Sequence, residues 1–403
     1  MPAATELDVA IVGGGPAGAW AAHQLARAGA RVAVFDPSHP REKPCGGGVT
    51  GRALAAGADA VDMRALDTTP IVAARFGDSV VPLDEHALVV ASRSSFDAAL
   101  LDAAERQGAS VRRSRVAGVA VGPAGVTITA ADGIHRARYL IGADGATSLV
   151  RRRVARAFRR DQLSMATGFY ARGVTSREIQ IEFTACPGGY LWSFPRPDHL
   201  AIGICAQADA GYCVAELRAR AADWTRRTNL ARDAALVPYS WPIPSLGLSD
   251  FARIDPAGER WMLVGDAAGL VDPITREGIF FALESGAAAA AALIAGSAAG
   301  GYLAALRREI VPELQRAARL KAAFFSPPLL RLLPAALQSA SVRAVMADLI
   351  AGRQPYRTLK WRLLKTFEVA LAWRALGDSR IRQALHEPGG TPRQAWYNRR
   401  FKE

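Results

Sequence analysis

The sequence predicts an α/β protein with a Rossmann-like N-terminal unit, a strand-rich second unit and a helical C-terminal unit. Three observations carry that prediction. The first is a strand–glycine turn–helix–strand order at the N-terminus. The second is a stretch from about Ala166 to Phe251 rich in aromatic and β-branched residues. The third is a basic, leucine-rich segment after Ser326. With 403 residues, half of them hydrophobic and 22% charged, the chain is long enough for several buried cores and is too apolar to be disordered.

The opening run Asp8-Val-Ala-Ile-Val is a short apolar strand, followed by Gly13-Gly14-Gly15-Pro16-Ala17-Gly18 and a helical stretch from Pro16 to Ala28. A second strand, Arg31 to Phe35, ends at Asp36, so the pair is parallel with a helical crossover. The glycines fit G-x-G-x-x-G: Gly13 for the tight turn, Gly15 for backbone approach to a pyrophosphate, Gly18 for close helix–strand packing. Pro16 and Ala17 open the helix, whose free N–H groups and positive dipole end suit phosphate. Asp36 is placed to accept from the adenosine ribose, and its charge disfavours a 2′-phosphate.

Further on, an alternating stretch spans Ala87–Val90, a helical one Ser94–Arg106, and strands fall near Val116–Val121, Val126–Ala130 and Ala137–Ile141. The second unit has one helical insert, Val214–Arg227. A strand at Trp261–Val264 then precedes a long helix from about Glu277 to Ala298. The run Ser285–Leu306 carries no charge, but its Ala/Gly composition suits tight packing inside a protein better than lipid, and no transmembrane span is expected.

The net charge of +13 is localised. From Arg319 onward sixteen Lys/Arg face five Asp/Glu, which accounts for nearly the whole imbalance. Interleaved with Leu, Ile, Phe and Trp, such a segment suits an anionic membrane surface or is a solvated basic face. No nucleic-acid-binding motif accompanies it, so nucleic acid is not an expected partner. Cys45, Cys186, Cys205 and Cys213 are too scattered for a disulfide framework, and no His/Cys cluster has zinc spacing, so no metal is expected. The first ten residues carry acids and no base, unlike a signal peptide. The expected location is cytoplasmic, with peripheral contact at the inner face of a membrane.

Two segments choose between nicotinamide and flavin dinucleotides. Tyr139-Leu-Ile-Gly142-Ala-Asp144-Gly145-Ala-Thr-Ser148-Leu-Val-Arg151 resembles the Asp-Gly motif of the flavin hydroxylase superfamily. Trp261-Met-Leu-Val-Gly265-Asp266-Ala-Ala-Gly269 resembles its Gly-Asp motif, whose aspartate holds the ribityl chain of FAD. Within that superfamily three features resemble the geranylgeranyl reductases: Lys43-Pro44-Cys45-Gly46-Gly47-Gly48, Arg93-Ser-Ser-Phe96-Asp97-Ala-Ala-Leu100, and Tyr190-Leu-Trp192-Ser-Phe194-Pro195. The resemblance spans roughly residues 5–300. The chain departs from it twice: the G-x-G after the aromatic signature reads Gly203-Ile204-Cys205, and Arg276 stands before Glu277 where many relatives have glycine. The halogenases' W-x-W-x-I-P motif and flavin-proximal lysine are absent.

The resemblance implies a GR2-type FAD-binding domain built from residues 1–66, 93–165 and 253–325. A mixed, largely antiparallel β-sheet substrate domain would take residues 67–92 and 166–252, and a basic C-terminal helical region residues 326–403. It implies non-covalent FAD held by Gly13, Gly15, Pro16, Ala17, Gly18, Asp36, Cys45, Gly46, Gly48, Arg93, Ala117, Asp144, Gly145, Gly265, Asp266, Gly278 and Ile279, with Lys43 a further candidate. The helix from Gly278-Ile279 is expected to turn its positive end toward the isoalloxazine. Tyr190, Trp192 and Phe194 share one strand face and form an apolar wall for a prenyl chain or another flat hydrophobic or lipid substrate. Two readings stand for Cys45: a proton donor at the flavin face, or a small apolar residue beside three glycines. The implied activity is reduction of a C=C bond by hydride from flavin N5, with NAD(P)H or a ferredoxin-like protein as external donor. The alternatives are a flavin monooxygenase or dehydrogenase of a secondary metabolite, and an electron relay to a quinone.

Overall fold

The structure, a computed structural model, describes residues 7–57, 61–62, 65–231 and 233–365. Strand Leu7–Val12 is buried along its last four residues because it is hydrogen-bonded on both sides. It pairs parallel with Val32–Phe35 and with Gly133–Gly142. The sheet continues through Trp261–Leu263 to Ala257–Gly258 at one edge and ends at Ser110–Arg112 at the other. An antiparallel arm, Gly125–Ala130 and Val116–Gly122, extends from Gly133–Gly142.

Helix Pro16–Arg27 packs on this sheet. Gly18 is required there, because a Cβ would lie 2.0 Å from the carbonyl oxygen of Gly13. The uncharged alanine run is packed protein, as its composition predicts, but it is two helices. Ile279–Ile294 ends at a turn through Gly296, whose φ of +68° is left-handed, and Ala298–Ala305 begins anew. Gly286 sits where a Cβ would come within 2.5 Å of the Ala17 carbonyl oxygen, so the two helices cross backbone to backbone.

The second sheet has seven strands in the order Leu236–Pro244, Leu163–Arg172, His199–Gln207, Gly188–Pro195, Glu178–Ala185, Ala73–Phe76, Ser79–Pro82. All neighbours are antiparallel except Glu178–Ala185 with Ala73–Phe76, which makes the sheet mixed. Helix Val214–Arg227 covers one face through the buried Leu217, Ala221 and Trp224. A small sheet, Gly48–Thr50, Leu88–Ala91 and Thr68–Pro70, joins the two halves.

Helices Val311–Phe324, Pro327–Ala336, Ala340–Ile350 and Tyr356–Lys365 follow. The Ser326-Pro327-Pro328 break is the start of a helix: Ser326 is its N-cap and the prolines occupy the first turn, where no N–H is needed. Arg353 is bonded to Asp84 and Asp348, and Arg362 pairs with Asp348. The remaining basic residues, from Arg374 to Lys402, lie outside the described residues. Among the described residues no helix is long and apolar enough to cross a membrane.

Candidate active site

The glycine turn is shaped by backbone approach. Gly13 has φ +108°, and a Cβ there would sit 2.3 Å from the Ala143 carbonyl oxygen. Gly15, the N-cap of helix Pro16–Arg27, differs: a Cβ would meet nothing closer than His39 Nε2 at 3.7 Å. The space above Gly15 therefore belongs to a cleft of about 460 Å3 that also reaches Asp36, Arg93, Asp144, Asp266 and Gly278. Free helix N–H groups beneath an open cradle fit the phosphates of a dinucleotide.

Asp36 faces this cleft, as its place at the strand end leads one to expect, and its carboxylate is also bonded within the chain. Its Oδ2 accepts from Gly14 N–H at 2.8 Å and lies 2.8 Å from His39 Nδ1, while Oδ1 accepts from the N–H groups of Ser38 and His39. Residues two and three positions on thus fold back on the carboxylate, the habit of Asp at a turn. Burial alone would raise its pKa, yet His39 and these N–H donors hold it well below the usual carboxylate range.

Arg93 and Asp97 form the next link. Arg93 is 3% exposed and donates through Nε at 2.9 Å and Nη2 at 2.8 Å to the fully buried Asp97. Its Nη1 points to Cys45 Sγ at 3.6 Å. Arg196 also approaches that sulfur: its Nη2 donates to the Cys45 carbonyl oxygen at 2.6 Å and stands 3.8 Å from Sγ. Arg196 also pairs with Glu42, and burial lowers its pKa to about 10. Sequence reasoning missed Arg196 and His39. The signals were their positions, one residue past the aromatic signature and three past the strand-terminal acid.

Lys43, expected near pyrophosphate, donates to Asp266 Oδ2 at 3.0 Å. Gly265 packs on helix Pro16–Arg27, where its Cβ would approach that of Ala17 to 3.1 Å. Gly278 and Ile279 line the cleft at the N-terminus of helix Ile279–Ile294. Glu277 just before them accepts from Thr50 Oγ1 at 2.6 Å and pairs with Arg52. Asp144 lines the cleft too and caps helix Leu149–Val154, accepting from Leu149 N–H at 2.6 Å and Val150 N–H at 3.1 Å. Ala117 is exposed and does not line the cleft, whereas its neighbours Arg115 and Val116 do.

Tyr190, Trp192 and Phe194 do line one cleft, with the first two rings 5.7 Å apart. Tyr190 donates to the Thr275 carbonyl oxygen at 2.8 Å, tying the wall to the turn before Gly278. Gly203 must be glycine, since a Cβ would lie 2.5 Å from the Trp192 ring. Cys205, in place of the second glycine, stands opposite Tyr190 in the register. A Cβ on Gly46 or Gly48 would come 3.0 Å from the Phe194 ring, so these glycines admit the aromatic wall as well as lining the cleft. Beyond the rings the cleft is apolar, walled by Ile179, Ile181, Phe183, Phe324, Met346 and Ile350.

Behind the wall, Lys321 donates to Gln207 Oε1 at 2.7 Å and Ser245 Oγ at 2.8 Å, and Arg276 also bonds Ser245. Burial and the Arg276 charge depress the Lys321 pKa from 10.5 to about 7. Between those two values the unfolded chain binds more protons than the folded one, so stability rises with pH through that window. Lys321→Met removes that slope. Urea unfolding at increasing pH will show wild type gaining on the variant as pH climbs through the window; a constant difference contradicts the assignment.

Residues 6–317 match the family described as FAD binding domain. With 31% identity over 325 residues to a menaquinone reductase of Mycobacterium tuberculosis (69% of this chain, 74% of that one), the chain belongs to the FAD-dependent oxidoreductases of the geranylgeranyl reductase family. It is also 29% identical over 302 residues to a geranylgeranyl diphosphate reductase of Rhodobacter capsulatus, covering 69% and 73% of the two chains. Among solved structures, a geranylgeranyl bacteriochlorophyll reductase-like protein from Thermoplasma acidophilum superposes with TM-score 0.74 at 22% identity, over 90% of this chain and 99% of that one. The flavin-dependent brominase Bmp2, as a triple mutant, gives 0.70 at 22%, over 89% and 98%. At such identities these two show the fold alone. The protein is an FAD-binding enzyme, and the open cradle at Gly15 and the Asp266–Gly278 end of the cleft fit that cofactor.

Proposed function

We propose that the enzyme saturates a C=C bond in an apolar, prenyl-type substrate. The observation that carries this is continuity: one cleft runs from the phosphate turn past Cys45 and the three rings into a chamber of aliphatic and aromatic side chains. Relatives named for menaquinone and for geranylgeranyl diphosphate support it, since both molecules carry isoprenoid chains. FAD bound in this cleft would supply hydride-transfer chemistry, with NAD(P)H or a ferredoxin-like protein as its external donor. The chain's own residues do the rest. The rings and the C-terminal helix residues Met346 and Ile350 exclude water and lay the substrate along the wall. Cys45 Sγ delivers the proton to the second carbon, and the guanidinium groups of Arg93 and Arg196 offset the charge left on sulfur. Under nitrogen a polyprenyl substrate will gain two hydrogen atoms by mass spectrometry. A product that forms only in air and carries an oxygen atom indicates a monooxygenase instead.

Cys45→Ser keeps FAD bound and lowers turnover by about 10²-fold, the usual scale for a lost general acid. Unchanged turnover reduces the thiol to packing.

The basic C-terminal helices bring this chamber to a membrane in the same reading. Trp361 is 65% and Leu364 52% exposed on helix Tyr356–Lys365, among Arg357, Lys360 and Lys365. Flotation with anionic vesicles at low salt, lost at high salt, is the expected result. No binding at low salt removes the membrane from the account.

A further inference from the structure

The loop between Phe35 and Gly48 carries one histidine, His39, and nearly every element around it presents a charge. Asp36, at the end of strand Val32–Phe35, lies 2.8 Å from Nδ1. Asp97, on helix Arg93–Arg106, lies 3.3 Å from Nε2. Arg93 of the same helix is held by Asp97 through two bonds. Arg113, just past strand Ser110–Arg112, donates to the His39 carbonyl oxygen at 3.1 Å, and Arg41 of the same loop donates to Ser38 Oγ. The remaining side is the phosphate turn. There the missing Cβ atoms of Gly14 and Gly15 would lie 3.3 Å from His39 Cβ and 3.7 Å from His39 Nε2, and the first turn of helix Pro16–Arg27 carries no charged residue.

The arrangement makes His39 the deciding charge at this corner. Asp36 and Asp97 with Arg93, Arg41 and Arg113 carry one net positive charge when the imidazole is neutral and two when it is protonated. The pyrophosphate that the turn accepts is itself anionic, so loss of the His39 proton takes one positive charge away from the wall that faces it.

We propose that His39 is a proton-dependent retention residue for the dinucleotide: its imidazolium, wedged between Asp36 and Asp97, offsets their charge beside the phosphate cradle, and losing the proton weakens the hold of that wall on the cofactor. Burial alone would lower the His39 pKa, but the bonds to the two carboxylates raise it above 6.5. The group is therefore protonated below that raised value, and its contribution to FAD binding is lost as pH rises through it. The adjoining helix spreads the consequence, because Asp97 also orients Arg93 toward Cys45.

The test is FAD affinity as a function of pH, read from flavin fluorescence on protein stripped of cofactor, with circular dichroism confirming the fold at each pH. The wild-type dissociation constant rises by about tenfold or more between about pH 6 and about pH 9, with a slope approaching one proton per pH unit. His39→Gln binds FAD more weakly at the acid end and with little pH dependence. Parallel curves for the two proteins, or a flat wild-type curve, overturn the proposal. A second measurement needs no substitution. Calorimetry in buffers of different ionisation enthalpy will show proton uptake on FAD binding above the midpoint, and no uptake at any pH overturns the proposal equally. These readouts are independent of which bond the enzyme reduces.

Discussion

Gly15→Val yields a folded protein that holds no FAD. Among the described residues, its two chain neighbours aside, the nearest atom to the position a Cβ would take is His39 Nε2 at 3.7 Å, so the substitution does not disturb packing, in contrast to Gly13 or Gly18, where backbone stands at 2.3 and 2.0 Å. The added isopropyl group instead fills the space through which phosphate reaches the helix N-terminus. The loss should exceed about 100-fold in affinity, near 3 kcal/mol, because several N–H groups lose their partner together. Flavin absorbance after dialysis and a thermal melt without cofactor check both halves. A yellow Gly15→Val protein would mean that the dinucleotide lies elsewhere.

Asp97→Ala is the substitution with the largest expected cost in stability. Asp97 has no exposed surface, and it neutralises Arg93, which is 3% exposed, as well as bonding His39. Removing one partner of a buried pair leaves a desolvated charge, with a usual cost of about 3–5 kcal/mol. Replacing both, as in Arg93→Met with Asp97→Leu, removes the stranded charge and recovers most of the loss. Urea unfolding of the cofactor-free proteins measures both. A loss under about 1 kcal/mol for Asp97→Ala would show that water or a rearranged carboxylate rescues Arg93.

What the sequence made legible was local. Gly13 and Gly18 follow from a strand, a turn and a helix within twelve residues, and their steric reasons hold in the structure. The alternation that puts Tyr190, Trp192 and Phe194 on one wall is equally local. Contacts between distant segments were not readable. Phe194 reaches Gly46 and Gly48, Lys43 reaches Asp266, and Met346 and Ile350 close a chamber begun by residues near 180. At Asp36 the strand-end position was readable, but the bonds from Ser38 and His39 that fold back onto its carboxylate were not. Ala117 lies outside the lining of the cleft, although Arg115 and Val116 just before it belong to that lining. The long helix expected through Ala298 was cut by Gly296, whose left-handed turn is invisible to an apolarity count.

The central claim is that the cofactor cleft and the apolar chamber are one site. Its most direct test is a single turnover without oxygen: the protein with its FAD chemically reduced is mixed with a polyprenyl alkene while the visible flavin absorbance is followed. The account predicts that the absorbance returns in step with one saturated bond per flavin. Flavin that stays reduced while substrates of this class are present in excess, in protein shown to bind them, would contradict it.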